Sequence, residues 1–382
     1  MKRVILSVTN DLYSDQRLEK VCNSLVEMGF DVLLVGRRYT DSPTLPERKF
    51  ATHRMRLLFR HGFLFYAEYN LRLFFYLLFK KCDLLVANDL DTLLPNYIVS
   101  RIRRKRIIYD SHEYFCGLPE LNGRPRVRNF WHRIEQHCFP QLPDVITVCQ
   151  SIAEMYDKEY PQRSGEKVRV VRNVPLRSRQ PVTLGRADLG LPEEGRLIVM
   201  QGAINRDRGA EELILAMHHI ENATLLIIGN GDVIPALHSL VKAENLDKKV
   251  MFLPRMAPEQ LANYTALCDV GCSLEKDTNL NYRYCLPNKL FDYLKAGIPA
   301  VVSDLPEMAR IIRESGAGLT VSDITPEKIA ETIHRLLSDS DLYNSCKRNA
   351  LAAADTYCWE NEVEILREIY LSPSPQKTKA TF

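Results

Sequence analysis

The feature that most constrains this chain is the alternation of two periods. Short apolar, β-branched runs ("RVILSV", "DVLLVG", "DLLVAND", "RIIYDSHE", "DVITVC") are separated by segments with apolar residues at helical spacing. The first such segment, "DQRLEKVCNSLVEMGF", stops at Gly29. Strands that are apolar throughout, each followed by an amphipathic helix, are the mark of βαβ units and a parallel sheet covered on both faces. Residues 176–195 are rich in Pro, Gly and charge, and they read as a linker. The pattern then restarts with strand "RLIVMQG", helix "AEELILAMHHI", strand "ATLLIIG", helix "VIPALHSLVKAENL" and strand "KVMFLP". It continues through "PEQLANYTAL", "DVGCSL", "PNKLFDYLKAG" and "PAVVSD". The expected organisation is two doubly wound α/β domains over residues 1–175 and 196–357. A C-terminal helix over 358–371 is expected to pack back toward the first domain, and 372–382 to be a disordered tail.

Composition fits an ordinary soluble chain of 382 residues, 46% hydrophobic and 26% charged. The net charge of +3 hides an asymmetry: residues 1–185 carry +10 and residues 186–382 carry −7. A basic first half suits an anionic partner or is a solvated basic face. Ten Cys without a C-x-x-C pair, several in apolar runs, fit a reducing cytoplasm better than a disulfide framework or zinc site. "MKRVILSVTND" reads as a first strand and not a signal peptide, and no run is long enough to span a membrane.

In parallel sheets ligands bind beyond the carboxyl ends of the strands. In the second half, Gly202 ends a strand, and Arg206 and Arg208 precede a helix that opens after Gly209. A helix start offers free N–H groups, and Arg offers a planar fork for phosphate oxygens. Gly229 and Gly231 in "IIGNGD" form a third post-strand loop where glycine permits close approach of a ligand. Lys289 lies in the first turn of the "PNKLFDYLKA" helix, against the macrodipole, and Asp292 follows three residues later. An anion bound at that helix start would offset the penalty, and Asp292 could accept from ribose hydroxyls; the bland alternative is a surface Lys289–Asp292 pair. In the first half, Asn10, Asp15 and Arg17, then Asn88 and Asp89, then His112 and Glu113 stand at three strand ends. A His there could hydrogen-bond a sugar hydroxyl or move a proton, or be structural. The first strand lacks a following G-x-G-x-x-G, and the chain lacks H-E-x-x-H, G-x-S-x-G and Walker sequences, which removes support for those classes. Asp89-Leu-Asp91 has metal-like spacing but lies in the first domain, so no metal site is expected.

In combination and order, "GAINRDRG", "IIGNG", "LPNKLFDYLKAGIPAVVSD" and "YDSHE" resemble glycosyltransferase family 4, the retaining sugar-nucleotide-dependent enzymes of the GT-B fold. The resemblance runs from the first strand to "CWENEVEIL" and is strongest over residues 196–304. It implies two Rossmann-like domains facing across a cleft, the first for acceptor and the second for donor. By the resemblance Arg208 grips the donor diphosphate, and Asp292 matches the second acidic residue of a paired-glutamate motif that binds ribose. It also implies that backbone amides around Pro287, Asn288 and Lys289 meet phosphate, that Arg255 and Met256 lie near the base, and that His112 lies near the transferred sugar.

This chain departs from the family at three places. Ala203 stands where Arg is frequent, so Lys289 or Arg206 is expected to supply that cation. Tyr284 stands at the first glutamate, which contacts the donor sugar, and "NDLYSDQR" replaces a Gly-Gly loop. The implied activity is transfer of a hexosyl unit from a UDP-, GDP- or other nucleoside-diphosphate sugar to a hydroxyl of a glycan or lipid-linked acceptor. It proceeds with retention, with no cofactor and no metal, in the family setting of bacterial surface polysaccharide synthesis. The alternatives are a non-catalytic sugar-nucleotide-binding subunit and a sugar-nucleotide epimerase of similar fold. The aromatic run 60–81 and the basic run "RIRRKR" 101–106 suit peripheral contact with an anionic membrane at its cytoplasmic face, against a core helix and a solvated turn. Without aromatic interleaving the basic run gives no support for nucleic acid.

Overall fold

A computed structural model describes residues 1–13, 15–121, 123–161, 163, 167–178 and 183–372. The chain forms two compact units: residues 1–172 together with the C-terminal segment from Glu362, and residues 173–361. The first sheet has seven strands: β1 (Arg3–Asp11), β2 (Asp31–Arg38), β3 (Ala51–Arg56), β4 (Leu84–Asn88), β5 (Arg106–Ser111), β6 (Asp144–Thr147) and β7 (Arg169–Val170). The order is β3-β2-β1-β4-β5-β6-β7, with every neighbouring pair parallel. The second unit has β8 (Arg196–Ala203), β9 (Ala223–Asn230), β10 (Val250–Leu253), β11 (Val270–Ser273), β12 (Ala300–Ser303) and β13 (Gly318–Val321). They run β10-β9-β8-β11-β12-β13, again all parallel. Strand order reverses between β1 and β4 and between β8 and β11, which marks the ligand-binding crevice of each sheet.

Packing explains the continuous apolar strands. Along β8, Ile198 and Met200 enter one core layer while Leu197 and Val199 enter the other. Side chains alternate across a strand, so a sheet buried on both faces needs apolar residues at every position.

In the first unit Ile5, Leu33, Val35 and Leu85 pack against Phe65, Tyr69, Leu73 and Leu77 of the helix Gly62–Phe79. The alternative of a core helix over residues 60–81 holds for that stripe alone. Phe63, Leu71, Phe75 and Phe79 on its other side are 70%, 59%, 51% and 81% exposed. The run "RIRRKR" is not one solvated turn. Arg101 and Arg103 close the helix Leu90–Arg103, Arg104 caps it at φ 54°, and Arg106 opens β5 and pairs with Asp144 at 2.8 Å.

Part of the expected linker is built into the second unit. Arg186 donates to the Asp269 carboxylate at 3.1 Å, and residues 187–189 form a 3₁₀ turn. The helix Trp359–Leu371 contributes its last turns to the first unit, where Arg106 donates to the Ile369 carbonyl at 2.6 Å and Leu366 and Tyr370 are buried. Of the expected tail 372–382, residues 373–382 lie outside the described residues.

Candidate active site

In the first unit the strand ends converge on one imidazole. Asp89 follows β4 at φ 61° and ψ 165°, a strained conformation that few residues other than glycine adopt, and its amide bonds the Asp110 carbonyl at 2.9 Å. This turn aims the carboxylate at β5. Asp89 Oδ1 accepts from the His112 amide at 2.8 Å, and Oδ2 lies 3.4 Å from His112 Nδ1. On the far side of the ring, His112 Nε2 is 3.6 Å from Asp110 Oδ2, an ion-pair distance longer than a hydrogen bond. Burial opposes the charged imidazole, but Asp89 and then Asp110 outweigh it and hold its pKa up at about 9. His112 is therefore an imidazolium at neutral pH, a donor rather than a base.

Asp110 stays ionised for a second reason. Burial opposes its charge, but Arg17 and His112 outweigh that and hold the carboxyl well below its usual range. Arg17 donates to Asp110 at 2.9 Å and to the Val171 carbonyl at 3.0 Å. Beneath Asp89, Asp91 accepts from Thr9 Oγ1 at 2.6 Å, and burial and then Asp89 raise its pKa to about 7.

Two residues read as acceptor-side are corrected here. Arg17 is 5% exposed and spent on Asp110, and Asn88 is fully buried with its amide on the Ser7 carbonyl at 2.9 Å. Both brace the strand ends from behind, because a polar residue beside an apolar strand can point inward as readily as outward. Asp15 caps the helix Gln16–Glu27 by accepting from Leu18 N at 3.1 Å. Asn10 is exposed, and Glu113 is half-buried with its carbonyl bonded to Ser111 Oγ.

In the second unit the decisive residue is one that the strand-end reading passed over. Glu275, two residues past β11, is 1% exposed. Its Oε1 lies 2.9 Å from Lys289 Nζ and 3.9 Å from Arg208 Nη1, and its Oε2 accepts from Ser273 Oγ at 2.8 Å. Burial raises its pKa, yet Lys289 and Arg208 bring it below the ordinary value. Lys289 is 5% exposed and paired with Glu275, so it is not the surface cation of the bland alternative. Asp292 accepts from the Gln201 amide at 3.2 Å, and Gln201 takes the Thr265 hydroxyl at 2.7 Å.

Lys289 offsets its unfavourable place at the helix start with Glu275, but one carboxylate faces two cations and the trio keeps a charge of +1. Lys289 Nζ has three protons and spends one on Glu275, and Arg208 Nε has no hydrogen bond among the described residues. Pro287 caps the helix Asn288–Ala296 without a side-chain bond; the Leu290 N–H turns back to the Pro287 carbonyl at 3.1 Å, which leaves the Asn288 and Lys289 N–H groups at the helix start. Arg208 rests over the Tyr282 ring at 5.6 Å.

The glycine loop works differently from the expectation. A Cβ on Gly229 would lie 2.0 Å from the Gly202 carbonyl, and one on Gly231 1.7 Å from the Ile204 carbonyl. The close approach is between the β8 and β9 loops, which also join through Ile204 N to Asn230 O at 2.9 Å and Arg206 N to Asp232 at 3.1 Å. Gly202 has φ 102° and open space around it. Arg206 and Arg255 are exposed, and Met256 and Tyr284 are half-buried. None of these four joins the trio. Glu275 was legible in one respect, as an acidic residue just past a buried strand end. Among the described residues His132, Glu135 and Glu159 come close enough to share a metal ion. His132 already bonds Glu159 at 2.9 Å, and Glu135 takes the Tyr160 hydroxyl at 2.8 Å.

Family models match both halves of the chain. The model "Glycosyltransferase Family 4" matches residues 16–174, and "Glycosyl transferases group 1" matches residues 183–352. An uncharacterised glycosyltransferase of Methanocaldococcus jannaschii is 26% identical over 63% of this chain and 62% of its own length. A D-inositol 3-phosphate glycosyltransferase of Jonesia denitrificans is 23% identical over 48% and 45%. The matches thus span about half to three fifths of the curated relatives' lengths.

Among solved structures, sucrose-phosphate synthase of Thermosynechococcus elongatus superposes with a TM-score of 0.79 at 18% identity, covering 97% of this chain and 98% of that one. The Anabaena protein HepE, solved with UDP-glucose, gives 0.73 at 14%, covering 97% and 99%. These structures share the GT-B fold. With both halves matched by its models, the chain belongs to glycosyltransferase family 4.

Proposed function

We propose that this glycosyltransferase moves a hexosyl unit from a nucleoside-diphosphate sugar to a hydroxyl of a glycan or lipid-linked acceptor, with retention and without a metal. The observation that carries the reading is the excess positive charge of the Arg208–Glu275–Lys289 trio at an open helix start. Two cations and free N–H groups suit a diphosphate, and they stabilise it most when it leaves with its full charge. Asp292 on the same helix serves the ribose, where it can accept from hydroxyls while held by Gln201.

On the acceptor unit, imidazolium His112 serves as a hydrogen-bond donor to a sugar hydroxyl. In this mechanism the sugar–phosphate bond breaks first, a phosphate oxygen takes the acceptor proton, and the acceptor oxygen attacks the face the phosphate has left. Retention follows without a protein nucleophile. The UDP and UDP-glucose complexes of HepE support a nucleotide-sugar donor for this chain as well.

The test is a thermal-shift panel of UDP, GDP, ADP and CMP, followed by the product anomer from the donor sugar of the base that binds. A nucleoside diphosphate at a hundredfold excess over its Kd should stabilise the fold by about 2.7 kcal/mol. No shift with any of them removes the donor assignment, and an inverted product removes the front-face mechanism.

A further inference from the structure

We propose that the outward face of the helix Gly62–Phe79 docks on an anionic lipid bilayer, lying in the headgroup plane. A helix on a protein surface normally turns a polar face to water. This one does not. Phe65, Tyr69, Leu73 and Leu77 enter the core, and the opposite arc carries Phe63, Leu64, Leu71, Phe75 and Phe79, each more than half exposed. Leu64, Leu71, Phe75 and Phe79 follow one another at spacings of seven, four and four residues, so they form one stripe. The two charges on the helix, Glu68 and Arg72, pair with each other at 2.7 Å, and Glu68 also accepts from the Leu58 and Phe59 amides. The patch continues onto the helix Pro125–Cys138, where Phe130 meets Phe63 edge-on at 6.2 Å between ring centroids.

The charge around this face selects the occupant. Residues 58–81, 98–105 and 123–134 together hold twelve Lys or Arg and a single acidic residue, Glu68. Lys80, Lys81, Arg101 and Arg104 are exposed at one end of the helix, and Arg124, Arg126 and Arg128 are exposed at the start of the neighbouring helix. An apolar stripe about 22 Å long between two cationic ends matches a bilayer interface, with rings in the acyl boundary and cations at the phosphates. Nucleic acid would use the cations but leave the rings in water. Among the described residues no helix is long and apolar enough to cross a membrane, so the contact is peripheral.

Orientation adds a consequence. A crossover helix runs antiparallel to the strands of its parallel sheet, so its start lies at their carboxyl ends. Gly62 and Phe63 therefore sit at the same rim of the first sheet as Asp89 and His112. Docking brings that rim to the bilayer and, given the function proposed above, makes a lipid-linked hydroxyl the acceptor class.

Flotation of the full chain with phosphatidylcholine vesicles, with and without phosphatidylglycerol, tests the docking itself. The chain should bind the mixed vesicles, release them in high salt, and leave pure phosphatidylcholine largely unbound. The double variant Leu71→Glu, Phe75→Glu should lose at least about tenfold in vesicle affinity. It should keep the parent's melting temperature and nucleoside-diphosphate shift, since both side chains face water. The variant Arg124→Glu, Arg126→Glu should lose the preference for phosphatidylglycerol. No binding by the parent overturns the proposal, as does equal binding by the double variant. A dimer in light scattering that the double variant dissociates, without vesicle binding, also overturns it and makes this face a contact between copies. A failed donor assignment would appear in the nucleotide panel and leave vesicle binding untouched.

Discussion

Glu275 shows how much one carboxylate can organise. It neutralises one of two cations in a buried place, and leaving a buried charge unpaired costs roughly 3–5 kcal/mol. Glu275→Gln should lower the stability of the nucleotide-free protein by about 3 kcal/mol. Part of that loss should return with saturating nucleoside diphosphate, because the diphosphate supplies the missing negative charge. Paired melts with and without nucleotide check this, and an equal loss in both would separate Glu275 from the donor site. His112 makes a pH prediction. Its folded pKa of about 9 stands above the ordinary value, so its stabilisation is complete below about pH 6.5 and is lost as pH rises through 9. The span is on the order of 3 kcal/mol, and His112→Gln should flatten it in urea unfolding measured from pH 6 to 10. Asp91 acts with the same sign: a carboxyl raised to about 7 favours the fold when protonated, so its contribution falls between about pH 4 and 7. Asp91→Asn keeps the Thr9 hydrogen bond, lacks the buried charge, and should be more stable than the parent at pH 8.

Elements place these residues by turn geometry that glycine permits and that Asp89 adopts under strain. The β8 and β9 loops touch backbone to backbone, and this contact sets where Arg206 and the helix after Gly209 begin. Gly231→Ala puts a methyl 1.7 Å from the Ile204 carbonyl, so the loops must part. The expected cost is more than about 2 kcal/mol, with weaker nucleotide binding, read by urea unfolding and thermal shift. Gly209 is constrained in the same way, with φ 76° and the Leu274 carbonyl 2.4 Å from the place a Cβ would take. That contact ties the start of the Arg208 helix to the strand end that carries Glu275. The two parts of the trio are therefore fixed against each other by backbone as well as by charge.

At the scale of the molecule the chain crosses between its units twice, near Arg172 and near Asn361. The last turns of the helix Trp359–Leu371 complete the first unit, where Leu366, Ile369 and Tyr370 are at most 5% exposed. Glu362 also accepts from the Arg172 amide at 2.8 Å. Ending the chain at Asn361 removes those three side chains, a loss of roughly 5 kcal/mol or more of apolar burial. Limited proteolysis should then degrade the first unit, leaving residues 173–361 resistant. The alternating periods, the restart after the linker and the Pro-Asn-Lys helix were all legible along the chain, because they are local: strand, helix and cap are decided by neighbours in sequence. Which strand-end polar residues face a ligand was not legible. Arg17 and Asn88 look like Asn10 and Asp89 in sequence, yet the first two turn inward and brace the sheet. The partner of Lys289 lies fourteen residues away, past a loop whose path no local rule fixes. The exposed face of the helix Gly62–Phe79 was hidden for the opposite reason, since a helix with large apolar residues on both sides gives no sign of which side the core takes. The sequence by itself determined the two sheets and the chemistry available at their ends. The tertiary structure decided which charges meet, because Coulombic pairing and burial depend on distances in space that only packing sets.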